Sequence, residues 1–247
     1  IKISEYIKNN PQNWEEDKYC VKNKKKMDGE TMNYIKKPME IEKRSFEIIT
    51  EELGDKVNNF TYEELQVVKR VIHTTADFEY ADLIEFKNNP IKNGKKALLE
   101  GNKIYCDTNM IANGLSKVSL KLYECEAYSL VANREVSLLA KERGVTRSII
   151  GMEKALEDKE TGIFIIGNAP TALYKLLEYV KETGIKPKLV IAVPVGFVGA
   201  AESKEALNNF EFPYIRINGR KGGSSVAVAI LHGILYGLDK FEGRLNE

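Results

Sequence analysis

The sequence predicts a single α/β domain in which helices flank a mainly parallel central sheet, a Rossmann-like architecture of three layers. Three short apolar segments in the C-terminal half, 163–166, 189–193 and 214–217, each stop at a turn rich in small residues. A helical pattern follows every one of these turns. Short apolar segments bounded by turn residues are typical of strands buried on both faces, and their alternation with helices favours parallel pairing.

The three turns are the strongest candidates for a binding site. They read Gly167-Asn168-Ala169-Pro170, PVGFVG at 194–199 and NGRKGGS at 218–224. Ligands of parallel sheets bind beyond the carboxyl ends of the strands, where these turns lie. Each turn also opens a helix, whose first backbone amides are unpaired and carry partial positive charge. We therefore expect the turns to converge on a pocket for a molecule with several anionic groups, although any one turn taken alone also fits a purely structural role.

Composition excludes several classes of protein. The 247 residues are 43% apolar and 30% charged, the balance of an ordinary soluble domain. With a formal net charge of +1, the protein has no overall electrostatic field that would attract nucleic acid or a membrane surface. Anions must therefore be bound by the local arrangement of donor groups. The sequence lacks an apolar run of about 18 residues and an apolar leader, so neither a membrane span nor a signal peptide is expected. Cys20, Cys106 and Cys125 are too widely spaced for a disulfide framework or a metal cluster, so we expect a cytoplasmic protein.

The two ends of the chain fall outside the predicted domain. Residues 1–33 are polar and form an N-terminal extension whose role the sequence does not reveal. Its Lys24-Lys25-Lys26 run is interpreted as a solvated face rather than a nucleic-acid site. The domain extends from 34 to 238, and residues 239–247 form a C-terminal tail.

The first half of the domain is mostly helical. A helix follows Pro38 and stops near Gly54, and Thr61-Tyr62-Glu63-Glu64 matches a capping box that starts the next helix. Further helices are predicted over 81–86 and 92–101. Residues 103–107 predict a strand that ends at Asp107, in a turn or a helix cap. Residues 120–124 are interpreted as a further edge strand or a connector.

The chain has two histidines, which differ in their surroundings. His73 ends the helix that the capping box begins. A helix C-terminus favours the imidazolium, and Asp77 is near enough in sequence to orient it, so His73 is a candidate acid–base group. A histidine that only caps its helix is the competing interpretation. His232 lies within an apolar helical pattern and is interpreted as a packing residue.

Helices also occupy the intervals between the later strands. Residues 134–144 predict one amphipathic helix, and Thr146-Arg147-Ser148 opens another. Arg147 at a helix start, beside hydroxyl residues, suits a carboxylate clamp, and an ordinary surface arginine is equally compatible with the pattern. An apolar stripe over 173–180 predicts a helix that packs on the sheet and ends at Gly184.

Common catalytic motifs are missing from the sequence. It has no G-x-x-x-x-G-K-[ST], and residues 196–201 do not match G-x-G-x-x-G, so neither a P-loop NTPase nor an ordinary dinucleotide-binding protein is expected. H-E-x-x-H, C-x-x-C and G-x-S-x-G are also absent. The two histidines lie too far apart in the sequence to suggest a metal site, so no metal is expected.

Several blocks of the sequence, taken in order, resemble the precorrin-8X methylmutase family, which includes the cobalt-precorrin-8 form. The blocks are Tyr34-Ile35-Lys36-Lys37-Pro38 with Ser45-Phe46-Glu47-Ile48-Ile49, Arg70-Val71-Ile72-His73, Gly167-Asn168-Ala169-Pro170-Thr171-Ala172-Leu173, Pro194-Val195-Gly196-Phe197-Val198, Glu202-Ser203-Lys204-Glu205 and Gly219-Arg220-Lys221-Gly222-Gly223-Ser224. No single block is specific, but the ordered set is, and the resemblance covers about 34–238.

The resemblance implies a cofactor-independent isomerase of cobalamin biosynthesis. Such an enzyme moves a methyl group from C11 to C12 of precorrin-8 or cobalt-precorrin-8, giving hydrogenobyrinate or cobyrinate. It implies that His73 is the catalytic acid, which protonates the ring next to the migrating methyl group. The corrinoid substrate carries many carboxylates, in agreement with the anionic pocket expected from the turns. A homodimer with its active site near the interface is a further implication.

The turns and the resemblance together give the expected substrate-binding residues. These are Ser45, Arg147, Asn168, Ala169, Thr171, Gly196, Phe197, Ser203, Lys204, Gly222, Gly223 and Ser224. Phe197 either packs on the face of the ring or belongs to the core. Two other functions stay open: a non-catalytic tetrapyrrole-binding protein on the same fold, and an α/β enzyme acting on a phosphorylated small molecule. Whether the natural substrate contains cobalt is open as well.

Overall fold

The computed structural model describes residues 35–238 of the 247-residue chain. The chain divides into two compact units, Ile1–Ile41 and Glu42–Glu247. All contacts discussed below lie within the second unit. The predicted extension over 1–33 and the predicted tail over 239–247 lie outside the described residues.

A six-stranded sheet lies at the centre of the fold. Its strands are β1 (Ile84–Lys87), β2 (Lys103–Cys106), β3 (Ala127–Tyr128), β4 (Thr161–Ile166), β5 (Leu189–Ala192) and β6 (Tyr214–Ile217). They are arranged in the order β1-β6-β5-β4-β2-β3, and every neighbouring pair is parallel except β1 with β6. The α/β fold class predicted from the sequence is confirmed.

Eleven α-helices accompany the sheet in the part of the chain that the structure describes. They are α1 (Pro38–Leu53), α2 (Tyr62–Thr75), α3 (Tyr80–Leu83), α4 (Pro90–Leu99), α5 (Asn109–Gly114), α6 (Lys117–Leu122), α7 (Arg134–Arg143), α8 (Arg147–Glu157), α9 (Pro170–Thr183), α10 (Ala200–Glu205) and α11 (Ser224–Leu235). Within residues 35–238, none of these helices has the length and apolar character needed to cross a bilayer.

Helices cover both faces of the sheet because successive side chains of a strand point to opposite sides. On one face, Ile163 and Ile165 of β4 share a core with residues of α2, α4, α5 and α11. On the other face, Phe164 and Ile166 share a core with residues of α8 and α9. Every residue of β4, β5 and β6 is buried. This burial on both faces explains why these strands appear in the sequence as continuous apolar segments.

The predicted helix boundaries are confirmed where their capping residues are specific. The Thr61 hydroxyl accepts the Glu64 amide at 3.3 Å, and the Glu64 carboxylate accepts the Thr61 amide at 2.9 Å, which completes the capping box at the start of α2. Helix α1 ends immediately before Gly54, and α9 ends before Gly184, whose φ is +72°. Glycine favours this left-handed conformation, which terminates helices.

Two predictions in the first half of the domain are wrong. Residues 81–86 are predicted as a helix, but 84–87 form β1, antiparallel to β6. Strand β1 forms by pairing with β6, and Arg216 Nε of β6 donates to Glu85 Oε2 of β1 at 2.6 Å. These two residues are 131 positions apart in the sequence, so no local pattern could predict the pairing. Of the two interpretations of residues 120–124, an edge strand or a connector, the edge strand is wrong, because 120–122 belong to α6 and the edge strand is β3.

Candidate functional site

The three turns meet at the carboxyl edge of the parallel strands. The Gly223 amide donates to the Val193 carbonyl at 2.9 Å, which joins the β6 turn to the β5 turn, and the Gly196 amide donates to the Arg220 carbonyl at 3.2 Å. Gly167 lies against the β6 turn, since a Cβ at Gly167 would stand 3.1 Å from Ser224 Cα. The convergence expected from the sequence is therefore present.

Gly222 allows the β5 and β6 turns to touch. Its φ is +150°, and a Cβ at this position would stand only 2.1 Å from the Val193 carbonyl oxygen. Glycine alone adopts such a conformation at such a short distance from another backbone. At least part of the glycine pattern in this turn thus has a structural cause.

Asp107 fills the crevice between β2 and β4. At this point the order of strands reverses, which is where open α/β sheets bind ligands. The Asp107 carboxylate is 1% exposed and accepts the amides of Gly167 at 3.0 Å, Asn168 at 2.9 Å and Ala169 at 2.7 Å. Burial raises the pKa of Asp107, although the three amide donors act in the opposite direction.

Five amides of the turns themselves already have partners. Asp107 takes three of them in the β4 turn, and protein carbonyls take those of Gly196 and Gly223. These five hydrogen bonds hold the turns to one another and to Asp107, so these five amides are not available to a ligand.

Asp107 is the residue that sequence reasoning missed. The sequence places it at the end of a predicted strand, in a turn or helix cap, and gives no reason to connect it with Gly167 some 60 residues later. Its neighbour Thr108 caps α5 by accepting the Ile111 amide at 3.2 Å and contacts the Ser224 hydroxyl at 3.1 Å. An acidic residue immediately after a strand, at the sheet edge that carries the turns, is the only local signal.

The β5 turn presents apolar side chains to solvent. Phe197 is 82% exposed, which excludes the interpretation that it belongs to the core. The guanidinium of Arg220, in the β6 turn, stacks over the Phe197 ring at 5.5 Å from its centroid. Neither an ion pair nor a hydrogen bond links the Arg220 side chain to any other described residue, so its charge is available to a ligand.

Ser203 and Lys204 lie in the interior instead of lining an open pocket. Both are 0% exposed. The Ser203 hydroxyl donates to the Ala200 carbonyl at 3.0 Å, and Lys204 Nζ donates to the Lys221 carbonyl at 2.9 Å. Burial lowers the pKa of Lys204 to about 8, and the nearby charge of Arg216 adds to this effect. Lys204 therefore supports the β6 turn, and Ser203 stabilises the start of α10.

Arg147 and Thr171 are brought together at the starts of two helices. The Thr146 hydroxyl caps α8 by accepting the Ile149 amide at 3.3 Å, and it contacts the Thr171 hydroxyl of α9 at 3.1 Å. Arg147, the first residue of α8, is exposed and has neither an ion pair nor a side-chain hydrogen bond to any residue within 35–238. Its guanidinium is therefore free to bind a carboxylate.

His73 is exposed in the last turn of α2. Its ring lies 5.4 Å from the ring of Phe46, edge to face at 74°, and Ser45 precedes Phe46 on α1. The expectation that Asp77 orients the imidazole is wrong. The Asp77 carboxylate is bonded to Lys221 Nζ and accepts the Glu79 amide at 3.0 Å.

The end of α2 lies at the same sheet edge as the turns. Lys221, three residues before α11, is bonded to Asp77, two residues after α2. The start of α11, beside the β6 turn, is therefore next to the end of α2. Neither an ion pair nor a side-chain hydrogen bond joins Arg147 to the turns within the described residues.

His232 is the packing residue that the sequence predicts. Its Nε2 accepts the Ser116 amide at 3.0 Å, and its ring stacks on Tyr236 with centroids 4.9 Å apart. Burial lowers the pKa of His232 to about 4, and the charge of Arg70 acts in the same direction. The imidazole is thus neutral in the folded protein at neutral pH.

Protonation of His232 is expected to make the protein less stable in mild acid. Because its pKa is lowered from 6.5 to about 4, the unfolded chain takes up a proton first as the pH falls. Stability is fully present above about pH 6.5 and declines from there to about pH 4, by up to about 3 kcal/mol at roughly 1.4 kcal/mol per unit. Urea titrations should show a steeper fall in unfolding free energy for wild type than for His232→Gln, which does not titrate. Parallel curves would contradict this role.

A cavity of about 350 Å³ lies away from the turns. Its lining includes Tyr62 and Arg70 of α2, Gly233 of α11 and Phe46 of α1, whose ring lies edge to face against His73. The cavity therefore adjoins the candidate acid, although no residue of the three turns lines it. Among residues 35–238, no cluster of three or more histidine, cysteine or acidic side chains is arranged to hold a metal ion.

Comparison with known proteins gives a consistent result. A family model described as precorrin-8X methylmutase matches residues 40–237. The cobalt-precorrin-8 methylmutase of Leptospira interrogans is 44% identical over 203 residues, which cover 79% of this chain and 91% of that protein. The precorrin-8X methylmutase of Pseudomonas aeruginosa is 36% identical over 205 residues, covering 82% and 97% of the two chains. The crystal structure of the Thermus thermophilus precorrin-8X methylmutase superposes with a TM-score of 0.73 at 40% identity, covering 80% of this chain and 94% of that one.

Proposed function

Because the chain belongs to the precorrin-8X methylmutase family of cobalamin-biosynthesis isomerases, we propose that it moves a methyl group from C11 to C12 of precorrin-8 or cobalt-precorrin-8. The product is hydrogenobyrinate, or cobyrinate when cobalt is already present. The family match extends over nearly all of the described residues and includes His73 and all three turns.

The proposed acid in this reaction is His73. Its imidazolium donates a proton to the macrocycle next to the migrating methyl group, and the electron-poor ring then undergoes a [1,5] shift of that group. The proton returns to the imidazole afterwards, so atoms and charges balance without a cofactor. A well-placed general acid contributes roughly 10²- to 10⁴-fold. Holding the ring in one reactive geometry supplies the remainder.

One observation carries this proposal above the others. The exposed imidazole of His73 lies at the end of α2, and that end is bonded through Lys221 to the edge where the three turns converge. A flat ring seated on the turns would therefore have a proton donor at its rim. The arrangement supports acid catalysis on a large ligand, whereas a carrier protein has no need of it.

Side chains rather than turn amides are proposed to bind the carboxylates of the substrate. The guanidinium groups of Arg147 and Arg220 lack carboxylate partners among the described residues, and such groups bind carboxylates with two parallel hydrogen bonds. The exposed ring of Phe197 is available to pack on the face of the macrocycle. The other proposed contacts come from hydroxyl, amide and backbone surfaces of Ser45, Asn168, Ala169, Thr171, Gly196, Gly222, Gly223 and Ser224.

A homodimer with its active site near the interface is part of the proposal. In the β5 turn, Val195, Phe197 and Val198 are 45%, 82% and 90% exposed. Adjacent exposed apolar side chains are typical of surfaces that bind a ligand or a partner. A second subunit on this side would enclose the ring and exclude water from the proton transfer.

Parallel incubation with precorrin-8 and cobalt-precorrin-8 tests the function. Conversion of either substrate, followed by its absorption spectrum, is the expected result, and the faster conversion identifies the natural substrate. Binding without conversion would indicate a tetrapyrrole carrier. Absence of binding to both corrinoids would exclude the proposal and favour an enzyme for phosphorylated small molecules, which competition with inorganic phosphate would test.

A further inference from the structure

A cluster of three charged residues joins the β6 turn to the end of α2. Lys221, between Arg220 and Gly222 in the turn, donates to the carboxylates of Asp77 and, at 2.7 Å, of Glu79. Both acidic residues belong to the segment that immediately follows α2, the helix that carries His73. We call Lys221, Asp77 and Glu79 the Lys221 clamp.

The Lys221 clamp is reinforced on the side of the turn. The Lys221 carbonyl accepts a hydrogen bond from the ammonium of the buried Lys204 at 2.9 Å. Lys204 therefore fixes the backbone of Lys221, while Asp77 and Glu79 fix its side chain. Lys221 Nζ also lies over the ring of Tyr80, in the same segment, at 5.6 Å from its centroid. The hydrogen bond from Lys221 holds the pKa of Asp77 below its ordinary range, and the two carboxylates raise that of Lys221.

The segment between His73 and Asp77 has little freedom to move. The Ala76 amide donates to the Ile72 carbonyl at 2.7 Å, and Ala76 itself has a φ of +53°, which a residue with a side chain adopts only under constraint. The Thr75 hydroxyl donates to the Val71 carbonyl at 2.9 Å and accepts the Asp77 amide at 3.3 Å. A shift of Asp77 is therefore transmitted to the last turn of α2.

We propose that Lys221 is a positioning residue, which fixes the imidazole of His73 relative to the turn that seats the macrocycle. This inference rests on the proposed function. Placement of a general acid is demanding, because a displacement of about 1 Å costs on the order of 10²-fold in rate. Partly exposed ion pairs contribute little to stability, so the clamp should act on geometry far more than on folding.

The test compares Lys221→Ala with Lys221→Arg and with a matched control. Lys188→Ala removes another partly exposed ion pair, with Glu100, at the opposite edge of the sheet before β5. For each variant we would measure kcat with the corrinoid substrate, corrinoid Kd by absorbance titration, and the imidazole Hε1 resonances of the untagged protein by NMR. The chain has two histidines, so His232 is an internal reference for His73.

Lys221→Ala is expected to lower kcat at least tenfold, to change Kd less than about threefold, and to shift or broaden the Hε1 resonance of His73 alone. Lys221→Arg should restore both kcat and the resonance, and Lys188→Ala should match wild type. An unchanged His73 resonance in Lys221→Ala, or an unchanged kcat in an active enzyme, would overturn the inference. A His73 resonance that responds in a protein without methylmutase activity would support the clamp and refute the proposed function, so the two failures are distinguishable.

Discussion

Replacing His73 by alanine is expected to reduce turnover of the corrinoid by roughly 10²- to 10⁴-fold, because the macrocycle then lacks its proton donor. Corrinoid binding should change little, since the carboxylates of the substrate are proposed to contact other side chains. The fold should also persist, because His73 is exposed at the end of α2. Single-turnover rates from the absorption spectrum, together with Kd from titration, measure the two effects separately.

The second histidine of the chain provides the control for this experiment. His232→Gln removes an imidazole that accepts the Ser116 amide but does not face the turns, so it should retain turnover. A His73→Ala enzyme with the wild-type rate would exclude the imidazole from the mechanism. Loss of corrinoid binding together with turnover would instead make His73 a substrate ligand.

Replacing Asp107 by alanine is expected to lower the free energy of unfolding by about 3–5 kcal/mol. Three amides lose their acceptor, two of them at the buried residues Gly167 and Ala169, at roughly 1–3 kcal/mol for each buried amide. Part of this loss is offset because the folded protein no longer has to desolvate a carboxylate. Urea denaturation followed by circular dichroism should show a midpoint well below that of wild type.

Asp158 offers a matched control for the Asp107 variant. It also accepts a backbone amide, from Glu160 at 3.0 Å, but it lies at the other end of β4 and its side chain is 31% exposed. Its carboxylate also accepts Lys103 Nζ and the Thr161 hydroxyl at 3.3 Å each, so Asp158→Ala should cost about 1–2 kcal/mol, less than Asp107→Ala. Equal midpoints for the Asp107 and Asp158 variants would show that the three amides of the β4 turn find other partners.

Local sequence patterns predicted the elements that depend on neighbouring residues. The apolar segments at 163–166 and 189–193 became strands because burial on both faces requires continuous apolar side chains. The capping box at Thr61 formed because its partners are three residues apart. The ordered segments that resemble the family also include His73 and the three turns, so the sequence alone was enough to select them as candidates.

The tertiary structure alone decided how those elements use their polar groups. Strand β1 depends on Glu85 and Arg216, and the β4 turn depends on Asp107, partners that are separated by 131 and about 60 residues. Lys221 reaches Asp77 across 144 residues and takes the carboxylate that the sequence assigned to His73. The periodicity and spacing of residues in the sequence indicate only which face of a helix or strand is apolar. Which amide or carboxylate each polar group meets is fixed when the strands align and bring distant segments to one edge.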